Sequence, residues 1–229
     1  MAACHPRESV VARTVRQRAT IRRLTSPALI LASTSRYRRE LLARLQLPFD
    51  VAAPGVDEAP APGETPADLA CRLALAKARA VAVQHPRAVV IGSDQVADLD
   101  GEPIGKPGSY ERAVEQLRRM RGREVIFQTA LAVVREDTGY QAVERAAVRV
   151  RLRALSDVEI DQYLRLEQPY DCAGSARSES LGIALLDSID SDDPTALIGL
   201  PLIRTCRMLR AAGLDPLAAA TAAAAMPPA

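Results

Sequence analysis

Lysine is nearly missing from this chain of 229 residues: of its 30 basic residues 28 are arginine, and the only lysines are Lys77 and Lys106. A sequence that uses arginine almost everywhere and keeps lysine at two places suggests that those places need a compact ammonium and reject the wider guanidinium fork. Cysteine and histidine are sparse as well. Cys4, Cys71, Cys172 and Cys206 form no C-x-x-C pair, and His5 and His85 are the only histidines. That scatter argues against a zinc site and reads as reduced thiols of a cytoplasmic protein. Apolar runs are interrupted by Arg, Asp or Gly before they reach spanning length, so no membrane partner is expected. No internal repeat occurs. Neither G-x-x-x-x-G-K-[ST] nor G-x-G-x-x-G after a first strand is present, which sets aside phosphate-loop kinases, GTPases and dinucleotide enzymes.

What is present is an ordinary globular composition, 48% hydrophobic and 25% charged, enough for a full core in one domain or two closely packed lobes. Residues 1–26 carry six arginines and one acid, a net of +5, which leaves −3 for the rest of a chain whose total is +2. The body is therefore mildly acidic, unlike a general nucleic-acid binder. The basic leader, 1–26, lacks the apolar segment of a secretion signal and is expected to be disordered. The body is expected to span 27–216, and the Ala/Pro tail, 217–229, to be disordered or a frayed helix.

The stretch from Ala28 to Glu40 organises the body. Leu29 to Ala32 predict a buried strand, and Ser33, Thr34 and Ser35 then place hydroxyls to cap a helix with Leu41, Leu42 and Leu45 on its buried face. A helix N-terminus in a hydroxyl-rich turn is suited to phosphate, and Arg36, Arg38 and Arg39 add guanidinium groups. Phe49 to Ala53 predict a second strand, followed by a Pro/Gly loop bearing Asp57 and Glu58. Thr65 caps a helix with Pro66 at its first position and Lys77 along it. Ala88 to Gly92 predict another apolar strand ending in a polar turn, Ser93-Asp94-Gln95. Two such strands separated by a helix predict a parallel pair whose C-terminal ends share a cleft, so Asp94 faces the Ser33–Arg38 turn. Lys106 follows in the loop Gly105-Lys106-Pro107, beyond the same strand edge.

Further on, Ser109 starts a helix that ends at Gly122. Val125–Val134 and Ala142–Leu152 predict a long hairpin whose second strand alternates Val148, Val150, Leu152 against Arg149, Arg151, Arg153. Ser156 to Glu159 is a capping box. A glycine-punctuated loop, Cys172 to Gly182, short strands to Leu186, an acidic loop at Asp190–Asp193 and a last helix from about Leu200 to Ala212 complete the body.

The ordered motifs L-A-S-T-S-x-x-R-R, V-D-E, R-L-A-x-x-K-A, I-G-S-D-Q, G-K-P, A-G-S-x-x-S-E and I-G-L-P-L, over about residues 28–216, closely resemble the Maf family of nucleotide pyrophosphatases, and within it the branch acting on 7-methylguanosine triphosphate. The resemblance implies a mixed α/β fold, a twisted sheet with helices on both sides and two lobes around a cleft. It also implies a divalent metal cofactor (Mg2+ or Mn2+) and a nucleoside triphosphate as partner, with a homodimer left open. By the same resemblance Asp94 matches the catalytic base. Ser33, Arg38, Lys77 and Lys106 match substrate-binding positions, and Glu58 with Asp94 matches the metal-facing ones. Tyr37, Gln95 and Glu179 match positions where branches differ in base choice, with Tyr37 offering an aromatic face to a cationic base and Glu179 a carboxylate. Arg36 stands where the family's turn usually has proline. Two rival readings are the same chemistry on another nucleotide, such as thymidine, uridine or unmodified guanosine triphosphate, and a non-catalytic regulator of cell division; the acids Asp94 and Glu58 beside phosphate-binding groups speak against the second.

Overall fold

The computed structural model describes residues 27–224, so the expectations for the leader, 1–26, and for the end of the tail lie outside the described residues. β1 (Leu29–Ala32) is buried throughout. It leads into α1 (Arg36–Ala43), capped by Ser35, whose Oγ accepts the Arg38 amide at 3.4 Å, while Ser33 Oγ accepts the Ser35 amide at 3.2 Å. Such a cap contributes about 1 kcal/mol and fixes where the helix begins. β2 (Asp50–Ala52) pairs in parallel with β1 at one edge of the sheet. α2 (Pro66–Ala82) starts at the Thr65 cap with Pro66 in its first turn, as its sequence predicts. It packs Leu69, Leu73, Ala74, Ala78 and Val81 on the sheet.

The main departure from the sequence reading is β3 (Val89–Leu99). Ser93-Asp94-Gln95 is no turn but the middle of an 11-residue strand. The strand persists because β5 (Glu124–Arg135) runs antiparallel beside it from Val90 to Asp98 and satisfies its backbone. On the other edge β1 pairs in parallel with Val89 to Gly92 only, and β4 (Glu102–Ile104) pairs antiparallel with Ala97 to Leu99 only. Residues 93–96 thus lie in a gap between the ends of β1 and β4. That gap is the floor of the cleft.

Strand alternation then decides what each residue of the gap can touch. Val90 and Val96 pack with α2, whereas Val89 and Ile91 pack with the opposite helical layer. Gly92 lies so near α2 that a Cβ would stand 2.2 Å from the Ala74 carbonyl oxygen, so only glycine fits. Asp94, two residues on, faces the same helix. Ser93 and Gln95 face the other way.

The sheet order is β2-β1-β3-β5-β6-β7, with β4 beside β3; β6 is Tyr140–Leu152 and β7 Leu186–Asp190. The stretch before Leu186, read as short strands, is instead a 3-10 turn, Leu181–Leu185, and the strand follows it. The hairpin's wet face is confirmed, since Arg149 and Arg151 are exposed between the buried Val148, Val150 and Leu152. α3 (Tyr110–Met120) and α4 (Asp157–Glu167), the latter with its Ser156–Glu159 capping box, build a second core on the far ends of the hairpin. α1 and α5 (Leu202–Ala211) cover the face opposite α2. The Ala tract is helical over α6 (Pro216–Ala224), with Ala219 and Ala220 partly buried against that layer. Separate cores along one sheet give two lobes, and the gap in β3 opens between them. Among the described residues no helix is long and apolar enough to cross a membrane.

Candidate active site

A cavity of about 630 Å³ lies over the gap, lined from one lobe by Ser33 to Arg38, Glu58, Lys77, Asp94 and Gln95. The other lobe contributes Lys106, Asp171, Cys172 and Glu179. All eight residues singled out as catalytic, substrate-binding or specificity positions, and Glu58, therefore line one cleft. Its size suits a nucleotide-sized ligand.

At the centre stands Lys77. It projects from α2 with 5% of its surface exposed, and Nζ donates to Asp94 Oδ1 at 2.7 Å and meets Glu58 Oε1 at 2.6 Å. A buried ammonium needs such compensation. Because one ammonium serves two carboxylates, each acid keeps an oxygen for other work; Asp94 Oδ2 has no hydrogen-bond partner among the described residues and is not sealed from solvent. Glu58 lies on the exposed side. Burial alone raises its carboxyl, but the hydrogen bond and charge of Lys77, helped by Lys106 and Arg38, outweigh this and hold it below the usual carboxylate range.

That shift fixes the sign of a pH effect. A carboxylate with a depressed folded value stabilises the fold above its unfolded value, near 4.5, and loses that contribution as pH falls through the lower folded value. Glu58 is more than half exposed, so the contribution is under ~1 kcal/mol. Glu58→Gln should lower the melting temperature by about 2 °C near neutral pH. The difference should shrink as thermal scans are taken toward pH 3.5, and a gap that widened in acid would contradict the pairing.

The positively charged side of the cleft is built by α1. Its first turn carries no acid, and the amides of Arg36 and Tyr37 have no acceptor among the described residues, so the positive end of the helix opens on the cleft. Arg38 is half-buried; burial lowers its guanidinium, opposed by the charges of Asp94 and Glu58. Its Nε donates to the Gly199 carbonyl at 2.9 Å. Lys106 is exposed on its loop, which is tied down where Gln116 Nε2 donates to the Gly105 carbonyl at 3.1 Å.

Two of the specificity positions, Tyr37 and Gln95, are engaged by partners within the protein. Protein cations already stand against the Tyr37 ring: the Arg36 guanidinium lies 4.7 Å and that of Arg177 5.5 Å from its centre. Its hydroxyl donates toward Asp171, at 3.3 Å, and burial pushes the phenol up to about 12. Gln95 turns its amide nitrogen into the protein, where it donates to Thr129 Oγ1 at 2.9 Å and to the carbonyls of Ala196 and Leu197 at 3.0 and 2.9 Å. Carbonyls only accept, so the nitrogen must point there. Glu179 is exposed on the cleft wall, and partial desolvation raises its carboxyl.

Sequence reasoning missed Asp171 and Arg177. Arg177 ties the glycine-punctuated loop to α4 through Glu167 at 2.6 Å and also reaches Asp171 at 3.3 Å. These two contacts are local, but the approach of Asp171 and Arg177 to Tyr37 joins residues far apart in the chain, and nothing in A-R-S-E announces it.

A divalent cation fits this site on the chemistry of its donors. Asp94 and Glu58 supply hard carboxylate oxygens at the cleft, and no group of three acidic, histidine or cysteine ligands occurs among the described residues. Mg2+ and Mn2+ are commonly held by one or two carboxylates with substrate phosphate and water completing the shell.

A family model described as Maf-like protein matches residues 28–212. The 7-methyl-GTP pyrophosphatase of Albidiferax ferrireducens is 68% identical over 191 residues, which cover 83% of this chain and 96% of the relative. That of Polaromonas sp. is 70% identical over 190 residues, 83% and 87% of the two chains, and that of Bordetella pertussis is 64% identical over 191, 83% and 95%.

Proposed function

This chain belongs to the Maf-like family, and from that premise we propose that it hydrolyses 7-methyl-GTP between its α- and β-phosphates, giving 7-methyl-GMP and pyrophosphate. The observation that carries the reading is the sharing of Lys77 by Asp94 and Glu58 beside an acid-free helix N-terminus. A pure anion-binding site would gain nothing from two carboxylates, whereas hydrolysis needs a base for water as well as positive charge for phosphate.

Asp94 Oδ2 accepts the proton of the attacking water while Oδ1 stays on Lys77, so the base is oriented with its second oxygen left free toward the cleft. The helix N-terminus, Arg38 and Lys106 cancel charge on the phosphate oxygens, and Lys77 balances the two acids. Phosphoryl transfer is catalysed mainly by positioning and charge compensation of this kind. Asp94 and Glu58 would hold the divalent cation, which supplies further charge compensation when bound.

Glu179 recognises the base. A carboxylate accepts from guanine N1–H and the exocyclic amine and complements the positive charge that N7-methylation brings, a pattern thymine lacks. Glu179→Gln exchanges one acceptor for a donor. Its kcat/KM should fall about tenfold more on 7-methyl-GTP than on dTTP, the size of a lost charged hydrogen bond. An unchanged ratio would remove Glu179 from base selection. The reading as a whole is tested by a nucleotide panel (7-methyl-GTP, GTP, dTTP, UTP) assayed for pyrophosphate with Mg2+. Highest kcat/KM on 7-methyl-GTP is expected, and a preference for dTTP or UTP would overturn the substrate.

A further inference from the structure

Arg38 reaches the cleft from an anchored position. Its Nε donates to the Gly199 carbonyl at 2.9 Å, while its terminal nitrogens have no partner among the described residues. They are not sealed in either, since the buried nitrogen left unpaired is Arg177 Nε. A guanidinium tethered by Nε keeps its planar fork intact for two parallel bonds to phosphate.

The anchor is itself held from several sides. Gly199 has φ 122° and ψ 4°, a conformation that costs a side-chain-bearing residue dearly. Its carbonyl also lies 3.0 Å from Ser93 Oγ, on the face of β3 opposite Asp94; the single hydroxyl proton of Ser93 is shared between this carbonyl and that of Ala130 at 2.8 Å. The turn Ala196–Ile198 just before it is fastened to the sheet by Thr129, whose Oγ1 donates to the Ala196 carbonyl at 2.9 Å, and by Gln95. Ser93 and Thr129 are fully buried. They have no contact with the cleft interior, yet both bear on where one carbonyl points.

We propose that Gly199 is a positioning residue for the hydrolysis: its carbonyl, aimed by Ser93 and the turn before it, holds Arg38 so that both terminal nitrogens face the phosphates. The inference rests on the reading of Arg38 as a phosphate ligand. Gly199→Ala would bring a Cβ only 3.6 Å from Arg38 Nε, an ordinary contact, so its effect comes through the strained backbone and the carbonyl it displaces.

The test is a double-mutant cycle on kcat/KM for 7-methyl-GTP with Mg2+, using Gly199→Ala, Arg38→Ala and the pair, with thermal unfolding of each. A displaced phosphate ligand costs on the order of tenfold or more, so Gly199→Ala should lose that much in the wild-type background. With Arg38 already gone it should lose less than about twofold, because contacts that act through one group are not additive. Losses that multiply would overturn the proposal while leaving Arg38 as a phosphate ligand. Full activity in Arg38→Ala would instead sink the phosphate reading and the positioning role with it. Ser93→Ala, which keeps glycine at 199, enters a second cycle with the same expectation of coupling, and it decides the matter if Gly199→Ala does not fold.

Discussion

Asp94→Asn is expected to lower kcat by ~10²-fold or more, with the melting temperature held within about 3 °C of the parent. Asparagine has the size of aspartate and still offers Oδ1 to Lys77, which remains paired with Glu58 at 2.6 Å, so the packing between β3 and α2 survives. What disappears is a negative charge beside the attacking water and an oxygen able to take its proton. Both losses fall on the transition state, so KM should move far less than kcat. The purified variant assayed for pyrophosphate release, with a parallel melting curve, separates the two effects. Turnover within a fewfold of the parent would remove Asp94 from the base role.

Lys77→Met should damage both stability and turnover. Methionine fills the volume along α2 but leaves Asp94, with only 10% of its side chain exposed, and Glu58 to repel each other without the ammonium between them. Breaking a buried pair from one side costs about 3–5 kcal/mol, and the openness of the cleft and of Glu58 reduces this to about 2. The melting temperature should fall by roughly 4–8 °C, and kcat by ~10²-fold, because the base is no longer oriented. Lys77→Arg restores the charge but not the fit. A guanidinium is too wide for two carboxylates 2.6 and 2.7 Å from a single nitrogen, so stability should largely return while turnover should not. Full activity in Lys77→Arg would show that the scarcity of lysine in this chain has no bearing on its chemistry.

Much of this arrangement was legible because its signals are local. The Ser35 and Thr65 caps, Pro66 and the Ser156–Glu159 box each state a helix start within a few residues, and β1 and the first half of β3 are unbroken apolar runs. The second half of β3 was misread for a physical reason. Ser93, Asp94 and Gln95 look like a turn because strand interiors rarely hold three polar residues in a row, yet each has a buried partner: the Gly199 carbonyl, Lys77 and the Ala196–Leu197 carbonyls. Those partners come from α2 and from a turn some hundred residues later, and β5 is what keeps the strand going. The same distance hid Asp171 and Arg177, whose contacts with Tyr37 depend on how the glycine-punctuated loop folds back. Thr129 could have been noticed as a hydroxyl opening the apolar run Thr129 to Val134.

In the proposed reaction, water activated by Asp94 attacks the α-phosphorus of a nucleoside triphosphate. Hydrolysis of 7-methyl-GTP in 18O-enriched water, with both products analysed by mass spectrometry, identifies the phosphorus attacked. One 18O atom should appear in 7-methyl-GMP and none in the pyrophosphate. Label in the pyrophosphate, or release of orthophosphate with 7-methyl-GDP, would place the attack at another phosphorus and rule out the reaction proposed.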